Sequence, residues 1–312
     1  MLEIIIPLIG FLIALGALVR GSSIFMEGAT DLSEAFGMSH VTAKVFTRNF
    51  TLILPILAVS LTAVLNGTTS IAVANVVGSN VIGMLLIVGL FVLVGTGTVR
   101  LGDDVRNTVP LFAIATVLFF FVLGDGVLDR LDSLLLLSIF GAYIWHLVTH
   151  AADTQVSEEN SNSAAIRKQS IGYIIGGLAA LAIGAKISID MVERFGEILQ
   201  ISVELLSLTV LALGTSIPLV LNLMRVQQTD EADSSVKDVL LMNTLSILLV
   251  LGIGGLVHPL TPGAITVDFG LPILMTASLI LFVLGLSKRI LRFESAILLI
   301  LFAFVLLKVL EL

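Results

Sequence analysis

No cysteine occurs anywhere in the 312 residues. That excludes a disulfide framework, a thiol nucleophile and a cysteine-ligated metal. Charge is scarce as well: charged residues make up 12% of the chain against 57% hydrophobic, and the mean hydropathy is +1.11. A soluble domain of this length needs far more charge to cover its surface, so lipid is the expected solvent and the chain is expected to be an all-α integral membrane protein. Aromatic residues are few, with one Trp and two Tyr, and no basic stretch is studded with them. A nucleic-acid partner is therefore excluded. The four histidines, His40, His146, His150 and His258, lack metal-ligand spacing. No nucleophile, base and orienter stand together, so no resident metal, cofactor or enzyme activity is expected. The expected partners are the bilayer and a small ion or solute, with a monovalent cation among the candidates; composition does not fix the oligomeric state.

What is present is apolar length. A spanning helix needs about 20 apolar residues at about 1.5 Å rise each. Ten segments meet this roughly: 3–26, 41–65, 71–95, 108–123, 133–149, 170–189, 203–225, 238–257, 270–286 and 292–310. The first follows Met-Leu-Glu directly, without the basic start or small-residue cleavage site of a signal peptide, so it is taken as a span. The one clearly polar stretch, Asp153 to Ser170, has the composition of a solvated linker. It divides the chain into a first five-helix half (1–150), a linker (151–169) and a second half (170–312).

Five is odd, so the second half enters the membrane from the opposite side and the repeat is inverted. Placing both termini outside gives the cytoplasm Lys44, Arg48, Arg100, Arg106, Arg167, Lys168, Arg225, Lys237, Lys288, Arg289 and Arg292. The outside then holds only Arg130, Lys186, Arg194 and Lys308, a clear positive-inside bias. The expected location is the plasma (inner) membrane, with the linker in the cytoplasm.

The halves also match residue by residue. A shift of 163 places Gly21 on Gly184, Glu34 on Glu197, Ser39 on Ser202, Pro55 on Pro218, Asn80 on Asn243 and Gly89 on Gly252. Matches at Leu or Val mean little in an apolar chain; matches at Pro, Asn, Ser and Gly mean more. Repeats with helix breakers inside apolar spans are how many secondary transporters build a site at the bilayer midplane. The breakers here lie in Arg48-Asn49-Phe50-Thr51 to Pro55, Asn75-Val-Val-Gly78-Ser79-Asn80, Gly214-Thr215-Ser216-Ile217-Pro218, and Asp238 through Asn243 to Ser246. Proline frees a carbonyl one turn earlier, and in lipid that carbonyl needs a partner, which a cation can be. The bland reading is that Gly-Ser-Asn and Gly-Thr-Ser only let helices pack closely. Four motifs in repeat-related places favour a central site instead.

These motifs resemble those of the calcium/cation antiporters, which include the sodium/calcium exchangers. Gly21-Ser-Ser-Ile-Phe-Met-Glu27 is similar to the family's first-helix segment, Asn75-Val-Val-Gly78-Ser79-Asn80 to its third-helix motif, and Gly214-Thr215-Ser216-Ile217-Pro218 to its seventh. The resemblance covers both halves and implies ten helices in two inverted five-helix repeats, with alternating access by rocking of the first and sixth helices. It also implies an ion- or substrate-binding set of Asn49, Thr51, Ser79, Asn80, Thr215, Ser216, Asn243 and Ser246. The departures fall on the chemistry. Where the family carries a cation-ligating glutamate after each proline, this chain has Ile56 and Leu219. Calcium wants six to eight oxygens, carboxylates among them. The resemblance thus implies a transporter with an altered centre, not ordinary calcium exchange; a non-transporting regulatory or structural relative is the alternative. Ordinary exchange by an unorthodox site, with Glu27, Glu204 or Asp238 swung inward, ranks last.

Arg48, seven residues before Pro55, has two readings. It snorkels to the surface beside Lys44, or it points inward as a gate or charge at the cytoplasmic entrance. Arg20 raises the same question, with Glu204 or Glu27 as expected partner. Open space between Pro55 and Pro218 would favour transport; leucine and isoleucine packed shut there would favour a silent scaffold.

Overall fold

In a computed structural model, the described residues are 2–35, 40–95, 98–101, 103–151, 163–226, 232–287 and 289–311. They form ten helical rods. These are α1 (Leu2–Ala35), α2 (His40–Leu65), α3 (Thr69–Val94), α4 (Asp103–Val122), α5 (Arg130–Ala151), α6 (Ser163–Leu199), α7 (203–226), α8 (232–257), α9 (264–286) and α10 (Arg292–Val309). Six are long and apolar enough to cross a membrane: α1, α3, α6, α7, α8 and α9. The apolar parts of α2 and α4, Phe50–Leu65 and Thr108–Val122, are shorter. α1 and α6 outrun the expected spans, and α6 starts at Ser163, inside the stretch assigned to the polar linker.

Burial sorts the rods. The spanning windows of α3 and α8 are 83% and 89% buried, against 33% for α1, α6 and α9. A helix apolar all round belongs in a core, and α3 and α8 form it. α1 and α6 instead pair with each other. A Cβ on Gly21 would lie 3.0 Å from the Leu181 nitrogen, and one on Gly184 2.9 Å from the Ala14 oxygen. Small residues let two backbones approach this closely. Gly28 meets Ser170 and Tyr173, and Gly10 meets Met191, so the two rods run antiparallel. The contacts of Gly21 with Leu181 and of Gly184 with Leu18 are images of each other under the 163-residue shift, as an inverted repeat requires.

The loops repeat the symmetry. At the end of the bundle that carries the α5–α6 connection, strand β1 (Thr98–Arg100) pairs antiparallel with β2 (Arg289–Leu291), with Val99 opposite Ile290. At the other end, Leu128 and Leu260 exchange two backbone hydrogen bonds of 2.9 Å. Each is one loop of the first half stitched to one of the second; the shift carries Leu128 onto Leu291 and brings Leu260 to within one residue of Thr98, the partner of Leu291. Beside the distal stitch, Asp129 accepts hydrogen bonds from the Leu131 and Asp132 amides at 2.7 and 3.0 Å. It caps α5, and the backbone hydrogen bond from Asp132 holds its carboxyl below the usual range.

The register slips once. The Gly89 position packs on Leu299 and the Ser295 oxygen; its image Gly252 packs on Leu137 and the Ser133 oxygen. Ser133 and Ser295 are 162 apart, so the second half is one residue shorter before its last helix.

Candidate functional site

Two hydrogen-bonded clusters lie where α3, α7 and α8 meet. In the first, the Thr215 hydroxyl donates to Asn75 Oδ1 at 3.1 Å and stands 3.2 Å from Ser79 Oγ. Asn75 Nδ2 donates to Ser60 Oγ on α2 at 3.1 Å. All four side chains are buried. The Ala212 carbonyl is the hub: it accepts from the Ser216 hydroxyl at 2.7 Å, the Ser216 amide at 3.1 Å, the Thr215 hydroxyl at 3.2 Å and Ser79 Oγ at 3.5 Å. Local sequence sets this up. Pro218 has no N–H to continue the ladder, and α7 breaks at Ser216 (φ −87°, ψ −4°). α2, by contrast, runs unbroken through Pro55.

In the second cluster, Asn80 Nδ2 donates to Ser246 Oγ at 3.0 Å, and the Ser246 hydroxyl lies 3.1 Å from Asn80 Oδ1. Ser246 also bonds the Asn243 carbonyl at 2.8 Å, and Asn243 Nδ2 reaches the Asn80 carbonyl at 3.5 Å. Asn80 and Asn243 are repeat mates, so α3 and α8 cross on the pseudo-twofold axis. π-helical turns at Ile82–Ile87, Ser207–Leu211 and Ser246–Leu251 fall beside these clusters, a feature common near functional sites.

The mate of Ser246 is Gly83, and the symmetry fails there. Gly83 offers no hydroxyl, and Asn243 Oδ1 is buried without a hydrogen-bond partner. A Cβ on Gly83 would stand 3.2 Å from it.

Six of the expected site residues therefore converge: Ser79, Asn80, Thr215, Ser216, Asn243 and Ser246. Thr51 does not join them. Its hydroxyl turns back to the Thr47 carbonyl at 2.6 Å, and it lines a separate cleft of about 170 Å³ with Ser22, Ser23, Pro218 and Asn222. The side chains of Arg48 and Asn49 lie outside the described residues. Near the prolines Ile53, Ile56 and Leu219 are fully buried, while Pro218 itself borders the cleft beside Thr51.

The three carboxylates considered for an unorthodox site part company. Glu27 is exposed. Glu204 accepts from the Thr266 amide at 2.7 Å and caps α9 at the distal end. Arg20 is exposed and, among the described residues, pairs with neither of them; Glu204 sits at the end of the bundle away from it. Asp238 alone is buried, at 2% exposure, accepting from Asn222 Nδ2 at 2.7 Å. It lies five residues before Asn243, about 7.5 Å along the helix toward the linker end. Sequence reasoning undervalued Asp238 and Asn75. They are mates under the 163-residue shift, and Asn75 shares a helical face with Ser79, four residues on; both signals were in the sequence.

Comparison with known proteins agrees with this architecture. The family model described as sodium/calcium exchanger protein matches residues 6–149 and 169–310, one stretch per half. Inner membrane protein YrbG of Escherichia coli is 28% identical over 261 residues, covering 80% of this chain and 79% of that protein. Among solved structures, the sodium-calcium exchanger NCX_Mj superposes with a TM-score of 0.67 at 21% identity, covering 97% of this chain and 98% of its own. The H+/Ca2+ exchanger CAX superposes with a TM-score of 0.77 at 16% identity, covering 96% and 82%. With ten helices in two inverted halves and a family match to each half, this multi-pass membrane protein belongs to the sodium/calcium exchanger protein family.

Proposed function

We propose that the chain is a secondary cation antiporter whose central site handles a monovalent cation and not calcium. One observation carries this reading: Ile56 and Leu219 occupy the two positions after the prolines, and the side chains of the two buried clusters are neutral amides and hydroxyls. Desolvating a divalent ion without a compensating anion costs far more than hydroxyls return. A single charge asks less, and the oxygens of Ser79, Asn80, Thr215, Ser216, Asn243 and Ser246 are its ligand set. Asp238 stands off toward the linker end, engaged with Asn222, which lines the cleft beside Thr51. That cleft is the approach to the centre, with Asn49 and Thr51 as further neutral ligands and Arg48 as the charge at its mouth.

Charge bias makes the linker end cytoplasmic and puts both termini outside an inner (plasma) membrane. Residues 1–150 and 170–312 act as the two halves across 151–169. α1 and α6, which touch each other along their length and are two-thirds unburied, rock against the remaining helices.

Reconstitution in liposomes tests the reading. Sodium-driven calcium uptake stays at background, while a gradient of a monovalent cation drives flux that Thr215→Val abolishes without lowering the melting temperature below the assay temperature. Strong sodium-dependent calcium uptake rejects the proposal. A second reading, a non-transporting membrane partner, is favoured by the full burial of Ile53, Ile56 and Leu219. Reproducible flux of any ion, lost in Asn80→Leu, ends it.

A further inference from the structure

An apolar groove of about 250 Å³ runs down the outside of the bundle between α3, α7, α9 and α10. Its floor is Gly78 and Leu208; its walls include Val210, Phe269, Phe302 and Val305. Thr209 supplies its one hydroxyl, which is turned back onto the Leu205 carbonyl at 2.7 Å. The groove opens sideways, past Val210, Leu213 and Leu306 at 37%, 46% and 44% exposure, onto the apolar flank of the bundle.

We propose that one acyl tail of a bilayer phospholipid, from the leaflet at the end distal to the linker, binds in this groove. Water has no polar partner there, and an empty groove would leave its walls without dispersion contacts. Hydrocarbon is the matching filler and is what surrounds a spanning helix at that depth. The dimensions agree. From Gly78 to Leu86 the groove follows α3 for about 12 Å, against about 15 Å for half a hydrocarbon core. The leaflet follows from three walls: the lining residues of α7 and α9 lie in the early turns after the distal loops and those of α10 in its last turns, while those of α3 sit at mid-helix, where the methyl end of the tail falls.

Three π-helical turns shape the slot. Ile82 and Leu86, Leu208 to Val210, and Phe269 to Gly270 all lie within such turns. Gly78 completes it. A Cβ there would fall 2.0 Å from the Leu208 carbonyl oxygen, so only glycine lets α7 close down as the floor. The next residue, Ser79, faces Thr215 on the inner side of the same wall. The tail therefore presses on the outer side of the wall that carries the polar clusters.

Photolabelling tests the site without any transport assay. The full chain is placed in vesicles of phosphatidylethanolamine and phosphatidylglycerol with a trace of phospholipid bearing a diazirine near one tail's methyl end. After irradiation, label concentrates on peptides covering 203–213, 269–273 and 302–309. In Val305→Trp, where the indole fills the slot, it falls to the level of the other lipid-facing helices. Leu306→Trp, at a more exposed position, gives the same fall, so one misfolded variant cannot decide the result. Unchanged labelling of α6 peptides reports that each variant is folded. Label spread evenly over the lipid-facing helices, or indifferent to both tryptophans, overturns the proposal. The absence of cysteine allows a further arm: Val309→Cys chains that cross-link copy to copy, with the groove unlabelled, would make it a subunit contact and likewise overturn it.

Discussion

Asn80 and Asn243 occupy equivalent places in the two halves and are treated differently. The Asn80 amide is met by the Ser246 hydroxyl at 3.0 and 3.1 Å. Asn243, whose corresponding neighbour is Gly83, keeps a buried oxygen with no partner. The packing around them is far more symmetric: Gly21 and Gly184 approach mate residues, and so do Gly89 and Gly252 with one residue's slip. Packing positions have kept the duplication, while polar positions have diverged. A glycine at a close helix crossing has no substitute, whereas an amide or hydroxyl can find a new partner within hydrogen-bond reach.

Three substitutions probe that contrast. The largest effect is expected at Gly78, where backbone itself blocks a side chain. Gly78→Ala should cost about 3 kcal/mol or more, read as loss of monodisperse protein or a large fall in melting temperature. Wild-type behaviour would mean that α3 and α7 are less close than described. Next is Ser246→Ala, which strands Asn80 Oδ1, while Nδ2 keeps the Val76 carbonyl at 2.8 Å. The expected cost is about 1–3 kcal/mol, measured as a lowered melting temperature, and pairing with Asn80→Leu should recover part of it by removing the stranded oxygen. Smallest is Gly83→Ser, which offers Asn243 Oδ1 the missing hydroxyl and improves helix propensity. A gain of about 0.5–1 kcal/mol is expected, with the Asn243 amide, 3.2 Å from the new Cβ, shifting by a few tenths of an ångström to accept from the hydroxyl. A loss would mean the orphaned oxygen is held apart by packing and not by want of a donor.

Much of this was legible in the chain. Scarce charge announced the membrane, and ten apolar segments became ten helices, because in lipid every backbone group must find its partner within the span. The 163-residue register located the polar crossing at Asn80 and Asn243. It did not locate the slip between Ser133 and Ser295, since a single missing residue in a Leu-rich stretch leaves no mark until the glycine contacts are seen. Nor did it place Thr51. Thr51 falls on Gly214 under the shift, so the first half has no counterpart of the Thr215-Ser216 pair; α7 breaks at Ser216 while α2 runs unbroken through Pro55, and Thr51 stays bonded to the Thr47 carbonyl. Asp238 was misjudged for a different reason. A charged residue near a helix end usually escapes to the surface, whereas this one is held inside by tertiary contacts that include Asn222.

The paired loops at the two ends carry one more implication. The linker end is fastened by three strand-paired residues, the distal end by the Leu128–Leu260 pair and by Thr69 and Thr261, whose hydroxyls stand 3.0 Å apart, and each fastening joins opposite halves of the chain. Helices 3–5 and 8–10 are thereby laced into one frame at top and bottom, so the halves cannot hinge apart like a clamshell. Among the described residues, neither lace includes α1 and α6, nor α2 and α7.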